Sequence, residues 1–175
     1  MPVITMSSGH GNLIRGASGV LDEVDEARKV VDRVGDLLRS RGTKIHTFHD
    51  NTSTTQSQNL NTIVAWHNSL SCDIAVSCHF NAYEATTKPM GTEVLFITQE
   101  ALAERMSAAI AEAGHFKDRG EKYRSDLAFL NGTEAPAILI ETCFVDSQAD
   151  ADLYHEHFDD ICQAIAGILD EAKVA

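Results

Sequence analysis

Three short, β-rich apolar runs in this chain each lead into a residue that can bind a metal or carry a proton. Val3-Ile4-Thr5-Met6 leads into Ser7-Ser8-Gly9-His10, Ile74-Ala75-Val76-Ser77-Cys78 into His79, and Ala137-Ile138-Leu139-Ile140 into Glu141. Nearly continuous apolar runs of this length, flanked by polar or turn residues, predict strands buried on both faces, hence a parallel sheet. In open α/β sheets, ligands collect beyond the carboxyl ends of the strands. Three strands ending in His, His and Glu should therefore converge on one crevice.

The segments between these runs alternate helix and strand. Asp22 is placed to cap a helix over about Glu23 to Arg41, with Ala27, Val30, Val31, Val34, Leu37 and Leu38 at helical spacing before Gly42. Lys44 to Phe48 predicts a second strand, and residues 49–59 a polar loop. Leu60 to Leu70 and Glu100 to Ala113 predict helices, with a strand over Gly91 to Ile97 between them. Leu127 to Leu130 is expected as a short strand, and Tyr154 to Lys173 as a closing helix with an apolar face including Phe158, Ile161, Ile165 and Leu169. This alternation implies an α/β fold: a single-domain three-layer sandwich, a mostly parallel twisted sheet with helices on both faces. Residues 1–175 are expected to form that one domain, with none left for a second.

Charge narrows the partners. The net charge of −12 opposes binding to nucleic acid, which needs a basic stripe, and adsorption to anionic membranes. No run approaches the ~20 apolar residues of a membrane span. Met-Pro-Val-Ile-Thr-Met lacks the basic and long apolar regions of a signal peptide, so synthesis in a cytosol is expected. Cys72, Cys78, Cys143 and Cys162 form no Cys-x-x-Cys pair and are expected as free thiols, mostly buried.

A catalytic zinc takes three protein ligands, His or carboxylate, and leaves one position open. His10 and His79 supply two, and the glycines around His10 let backbone and substrate approach closely. The third should be a carboxylate near the crevice. Glu23 opens the first helix, where the positive end of the helix dipole favours an ionised carboxylate. Asp22, Asp25 and Glu26 share that first turn and remain rivals. Glu141, with no Lys or Arg beside it in the chain, is placed to take a proton from an attacking water and pass it to a leaving group. Two other features have a plainer reading. His46 and His49 have odd spacing on a strand, so they face opposite ways and are expected at the surface or rim. Trp66 is expected in the core.

In order and spacing these segments resemble the zinc-dependent N-acetylmuramoyl-L-alanine amidases, the catalytic-domain family of phage endolysins and bacterial cell-wall hydrolases. Ser8-Gly9-His10-Gly11 with Gly16-Ala17 resembles the family's first metal loop, and Asp22-Glu23 opening a helix that ends at Gly42 its second-ligand segment. Ser77-Cys78-His79-Phe80-Asn81-Ala82 resembles the His-x-Asn-Ala motif, Gly91-Thr92-Glu93-Val94 the strand after it, and Ala135 to Phe144 the catalytic-glutamate motif. The resemblance covers almost the whole chain. It implies one Zn²⁺ held by His10, Glu23 and His79, the ungapped spacing from Glu23 to Gly42 selecting Glu23 over Glu26. It further implies Glu141 as catalytic acid/base, and Asn81 and Arg119 as substrate contacts. The implied substrate is peptidoglycan, cut at the amide between the lactyl group of N-acetylmuramic acid and L-alanine of the stem peptide. A phage endolysin made in the host cytosol and reaching the wall after release fits these expectations.

Two other mechanisms use the same residues differently. Cys78 or Cys143 as nucleophile would make a cysteine amidase or peptidase, although Cys78 and His79, adjacent on a strand, should point to opposite faces. A non-catalytic wall-binding module would keep the fold and have no need of Glu141.

Overall fold

The computed structural model describes residues 1–172. Six strands form one sheet: β1 (Val3–Gly11), β2 (Lys44–Asp50), β3 (Ile74–Asn81), β4 (Thr92–Phe96), β5 (Asp118–Tyr123) and β6 (Ala137–Phe144). Their order is β2-β1-β3-β6-β4-β5. Every pairing is parallel except β4 with β6, which is antiparallel. The three strands that carry His10, His79 and Glu141 are thus consecutive in the sheet. Each runs past the expected end: β3 continues to Asn81 and β6 to Phe144, so His79 and Glu141 sit within the last turns of pairing, directly opposite one another.

Helix α1 (Glu23–Ser40) begins where Asp22 caps it, the Asp22 carboxylate accepting from the Asp25 N–H. Its apolar stripe, Ala27 through Leu38, is buried against the sheet and against α6 (Phe158–Asp170). Helix α3 (Glu100–Gly114) packs on α6 in the same layer. Ile4, Met6, Val76, Ile138 and Ile140 from the sheet fill this larger core. Full burial of each such side chain is worth roughly 1.5–3 kcal/mol. The opposite face is covered by α2 (Gln56–Asn68) and the short α4 (Ala128–Gly132), over Ala75, Leu95 and Leu139. Alternation along the strands decides which layer each side chain enters. Val76 and Ile138 face the large core, so Ala75, Leu139 and, two residues on, Glu141 face the α2/α4 side.

Several elements differ from the sequence expectation. Leu127 to Leu130 is not a strand: Ala128–Gly132 is helical, and Phe129 and Leu130 pack under α2. Helix α2 starts at Gln56, inside the expected loop, because Thr55 caps it by accepting from the Gln58 N–H. Strand β5, with four charged residues among its six, carries no apolar alternation and is held at the sheet edge by pairing with β4. The closing helix is two, α5 (Gln148–Glu156) and α6, broken at His157; the expected end at Lys173 lies outside the described residues. Trp66 is half-buried rather than in the core, stacked on Phe48 at 4.9 Å between ring centroids. Among the described residues no helix is long and apolar enough to cross a membrane.

Candidate metal centre and cleft

Local backbone geometry aims the first histidine. His10 has φ of +59°, a left-handed conformation that costs a non-glycine residue of order 1–3 kcal/mol and is held only where its surroundings demand it. Pairing of β1 with β2 shifts register between Ser7 and Gly11, so the strand bends at His10. Two glycines open the space that the two histidines need. A Cβ on Gly9 would lie 2.0 Å from Cε1 of His79. Gly16 has φ of +72°, and a Cβ there would lie 2.5 Å from Cδ2 of His10 and 2.6 Å from Oε2 of Glu23. Gly11, by contrast, approaches Asp50 and Asn59, away from the histidines.

Glu23 lies between the two imidazoles. Its Oε2 is 3.2 Å from Nε2 of His10 and its Oε1 3.0 Å from Nδ1 of His79. The Ala17 N–H donates to Oε2 and the Phe80 N–H to Oε1, fixing the carboxylate from both sides. Burial alone would raise its pKa. The hydrogen bonds and charges of His10 and His79 outweigh that and hold it far below the usual carboxylate range. The rivals in the first turn are engaged elsewhere. Asp22 caps the helix and pairs with Arg15, Asp25 also pairs with Arg15, and Glu26 binds Lys29 and the Tyr154 hydroxyl.

The donor atoms of His10, Glu23 and His79 all lie within 4.8 Å of one another, with the carboxylate-to-imidazole distances near 3 Å. Ligand atoms around a tetrahedral zinc, each about 2.0–2.1 Å from it, stand roughly 3.3 Å apart. Two neutral-capable imidazoles and one carboxylate, in a cradle that a Cβ on Gly9 or Gly16 would fill, therefore fit that ion.

Glu141 lies beside this centre, paired with His79 across β3 and with Glu93 across β4. Its Oε2 is sealed from solvent and has no hydrogen-bond partner among the described residues. Burial, then the negative charges of Glu23 and Glu93, push its pKa well above the ordinary range, with Arg124 pulling weakly the other way. A cleft of about 280 Å³ opens over these groups, lined by His10, His79 and Glu141 on its floor and by Gln56, Leu60, Arg124 and Phe129 on its walls.

Asn81 and Arg119 are not free at the cleft mouth. Asn81 Nδ2 donates to Oε1 of Glu93 at 3.0 Å, and Arg119 Nε to Oε2 at 2.9 Å, while the Arg119 guanidinium also lies 5.0 Å over the Phe144 ring. Both converge on Glu93, which sequence reasoning left out. Only the antiparallel pairing of β4 brings Glu93 beside Glu141, and alternation within β4 does not reveal its partner strand.

The thiols lie elsewhere. Cys78 and Cys143 are fully buried in the large core, and burial drives both pKa values far up. Neither can present a thiolate to the cleft. His49 bridges Nδ1 to Ser8 Oγ at 2.8 Å and Nε2 to Asp32 at 2.9 Å. This Ser-His-Asp chain has no nucleophile to offer, because Ser8 is wholly buried; it braces β1 against β2 and α1.

A family model for N-acetylmuramoyl-L-alanine amidases matches residues 4–171 of the chain. Among solved structures the chain is similar to the catalytic domain of the CD27L endolysin, which targets Clostridia difficile, at 24% identity and a TM-score of 0.87 over 99% of each chain. It is also similar to the N-acetylmuramoyl-L-alanine amidase AmiC2 of Nostoc punctiforme, at 26% identity and a TM-score of 0.82 over 95% of each chain. A 38.4 kDa uncharacterised protein of Clostridium perfringens is 30% identical over 164 residues, 90% of this chain and 47% of that protein. The chain spans about half the length of the curated relatives it matches.

Proposed function

This chain belongs to the N-acetylmuramoyl-L-alanine amidase family, and we propose that it is a zinc-dependent hydrolase cutting peptidoglycan between the lactyl group of N-acetylmuramic acid and L-alanine of the stem peptide. The observation that carries this is the meeting of His10, His79 and Glu141 on the floor of one cleft, with the buried Glu23 carboxylate between the two imidazoles. His10, Glu23 and His79 would hold Zn²⁺. Zinc, when bound in such a site, supplies a Lewis acid that polarises the scissile carbonyl and acidifies water. Glu141 then takes the proton of the attacking water and delivers it to the departing alanine nitrogen. Its Oε2 has no other hydrogen-bond partner among the described residues, and its place opposite His79 in the sheet sets it beside the centre for both transfers. Glu23, buried and fixed by two backbone N–H groups, holds its carboxylate between the two imidazoles, where the third ligand is needed.

We place this activity in lysis, as the catalytic part of a phage endolysin acting on the wall after release from the cytosol. The likeness in fold to the CD27L catalytic domain supports that setting. Digested peptidoglycan analysed by mass spectrometry tests the chemistry: new L-alanine amines with intact glycan strands are expected, and new reducing ends or cuts within the stem peptide would overturn it. EDTA should abolish turnover and zinc restore it, while iodoacetamide leaves turnover intact; the reverse pattern would return the thiols to candidacy.

A further inference from the structure

Arg124 is the one fixed positive charge among the residues lining the cleft, in a chain of net charge −12. It follows β5 directly, and its backbone N–H donates to the Phe96 carbonyl at 2.9 Å, which extends the β4–β5 pairing and fixes its Cα. Asp126 holds the guanidinium in a fork, Nε to Oδ1 at 2.8 Å and Nη2 to Oδ2 at 2.9 Å. Nη1 has no protein partner among the described residues. The pair is open to solvent, with the Arg124 side chain 44% exposed and that of Asp126 65% exposed. An ion pair so exposed is worth at most about 1 kcal/mol, so it orients the guanidinium without using up its capacity to bind a second anion. The other wall residues, Gln56, Leu60, Leu127 and Phe129, are neutral.

We infer that Arg124 is a specificity-determining residue that binds a carboxylate on the peptide half of the substrate, and so selects stem peptides whose second residue carries a free carboxylate over those in which it is amidated. The inference rests on the proposed amidase activity. In that substrate the lactyl carboxyl is consumed in the scissile amide, which leaves the muramoyl half uncharged and puts the carboxylates on the peptide half. A planar guanidinium matches a carboxylate through paired N–H donors. The peptide half then lies along the β5–α4 wall, beside Arg124 and Leu127.

Two synthetic muramoyl dipeptides, identical except that the second residue bears a carboxylate or a carboxamide, test this. The wild-type protein should favour the acid by about ten-fold or more in kcat/KM, the size of one charge-assisted hydrogen bond. Arg124→Gln should bring the ratio close to one, and Arg124→Lys, which keeps the charge and loses the fork, should lie between. Asp126→Asn should retain the preference, because the guanidinium remains. Calorimetric binding of the corresponding free dipeptides, acid and amide, gives a readout that needs no turnover. If neither muramoyl substrate is cut but the wild type binds the acid more tightly and Arg124→Gln does not, the amidase assignment fails and the Arg124 subsite stands. A wild-type protein indifferent to the carboxylate, or an Arg124→Gln variant that keeps the preference with an unchanged melting temperature, would overturn the inference.

Discussion

Changing Glu141 to Gln should separate catalysis from stability in opposite directions. The carboxyl Oε2 is buried without a partner, and the neighbouring charges of Glu23 and Glu93 are both negative. A buried, unpaired polar or charged group costs about 1–3 kcal/mol. The amide has nearly the same shape and no charge, so in chelator-treated protein Glu141→Gln should raise stability by about 1–2 kcal/mol. For a domain of this size that corresponds to a rise in Tm of roughly 2–8 °C. The sign with pH follows from the raised folded-state pKa. The wild-type carboxyl is neutral in both states in acid, and above the unfolded pKa near ~4.3 the unfolded state releases its proton first. Wild-type stability therefore declines relative to Gln as pH rises from about 4, by no more than about 1.4 kcal/mol per pH unit. The two proteins should melt together near pH 4 and diverge toward neutrality. Turnover should fall by about 10²–10⁴-fold, the usual contribution of a general acid/base, with zinc stoichiometry unchanged. Calorimetric melting from pH 4 to 7.5, metal analysis and amine release on the one variant give all three readings. Near-normal turnover with full zinc would refute the catalytic role, and a lower melting temperature at neutral pH would refute the account of a strained, unpaired carboxyl.

Other expectations follow from the same geometry. His10→Ala or His79→Ala should lose both zinc and activity, whereas Glu26→Ala should keep zinc at full stoichiometry, since Glu26 serves Lys29 and Tyr154; metal analysis of the purified variants checks this. Gly16→Ala, forcing a Cβ into the His10 ring and the Glu23 carboxylate from a backbone with φ of +72°, should weaken zinc affinity at least ten-fold, measurable by competition with a chromogenic chelator. Asp50 accepts N–H groups from Thr52 and Ser53 and the Asn59 side chain; burial raises its carboxyl, these bonds outweigh that, and its pKa falls to about 2. Its stabilisation is present above the unfolded pKa near ~3.9 and is lost as pH falls toward 2, so Asp50→Asn should cost about 2 kcal/mol at pH 7 and little at pH 2, read from urea unfolding.

The apolar runs of β1, β3 and β6 and the Asp22-capped stripe of α1 are local patterns, so the chain itself sets them: strands of that length, a helix from Glu23, and an α/β order of elements. The two histidines and Glu141 were legible for the same reason, each standing next to a run whose end they mark. Neighbours in space that are distant in sequence were not legible. Glu93 reaches Glu141 only because β4 enters antiparallel, and Arg124 reaches the cleft only because the largely charged β5 pairs at the sheet edge. The apolar run Leu127 to Leu130 reads as a strand, yet Ala128–Gly132 is helix, with Phe129 and Leu130 covering the small core under α2. The first turn of α1 offers four carboxylates that sequence treats alike. The fold separates them by where each side chain lands along the helix: Glu23 against β1 and β3, Glu26 one turn on against Tyr154. What the sequence by itself determined was which residues could bind metal and move protons. Which of them meet was decided by strand order and register, because a hydrogen-bonded sheet fixes side chains from remote segments within ångströms of one another and local propensity does not specify the partner.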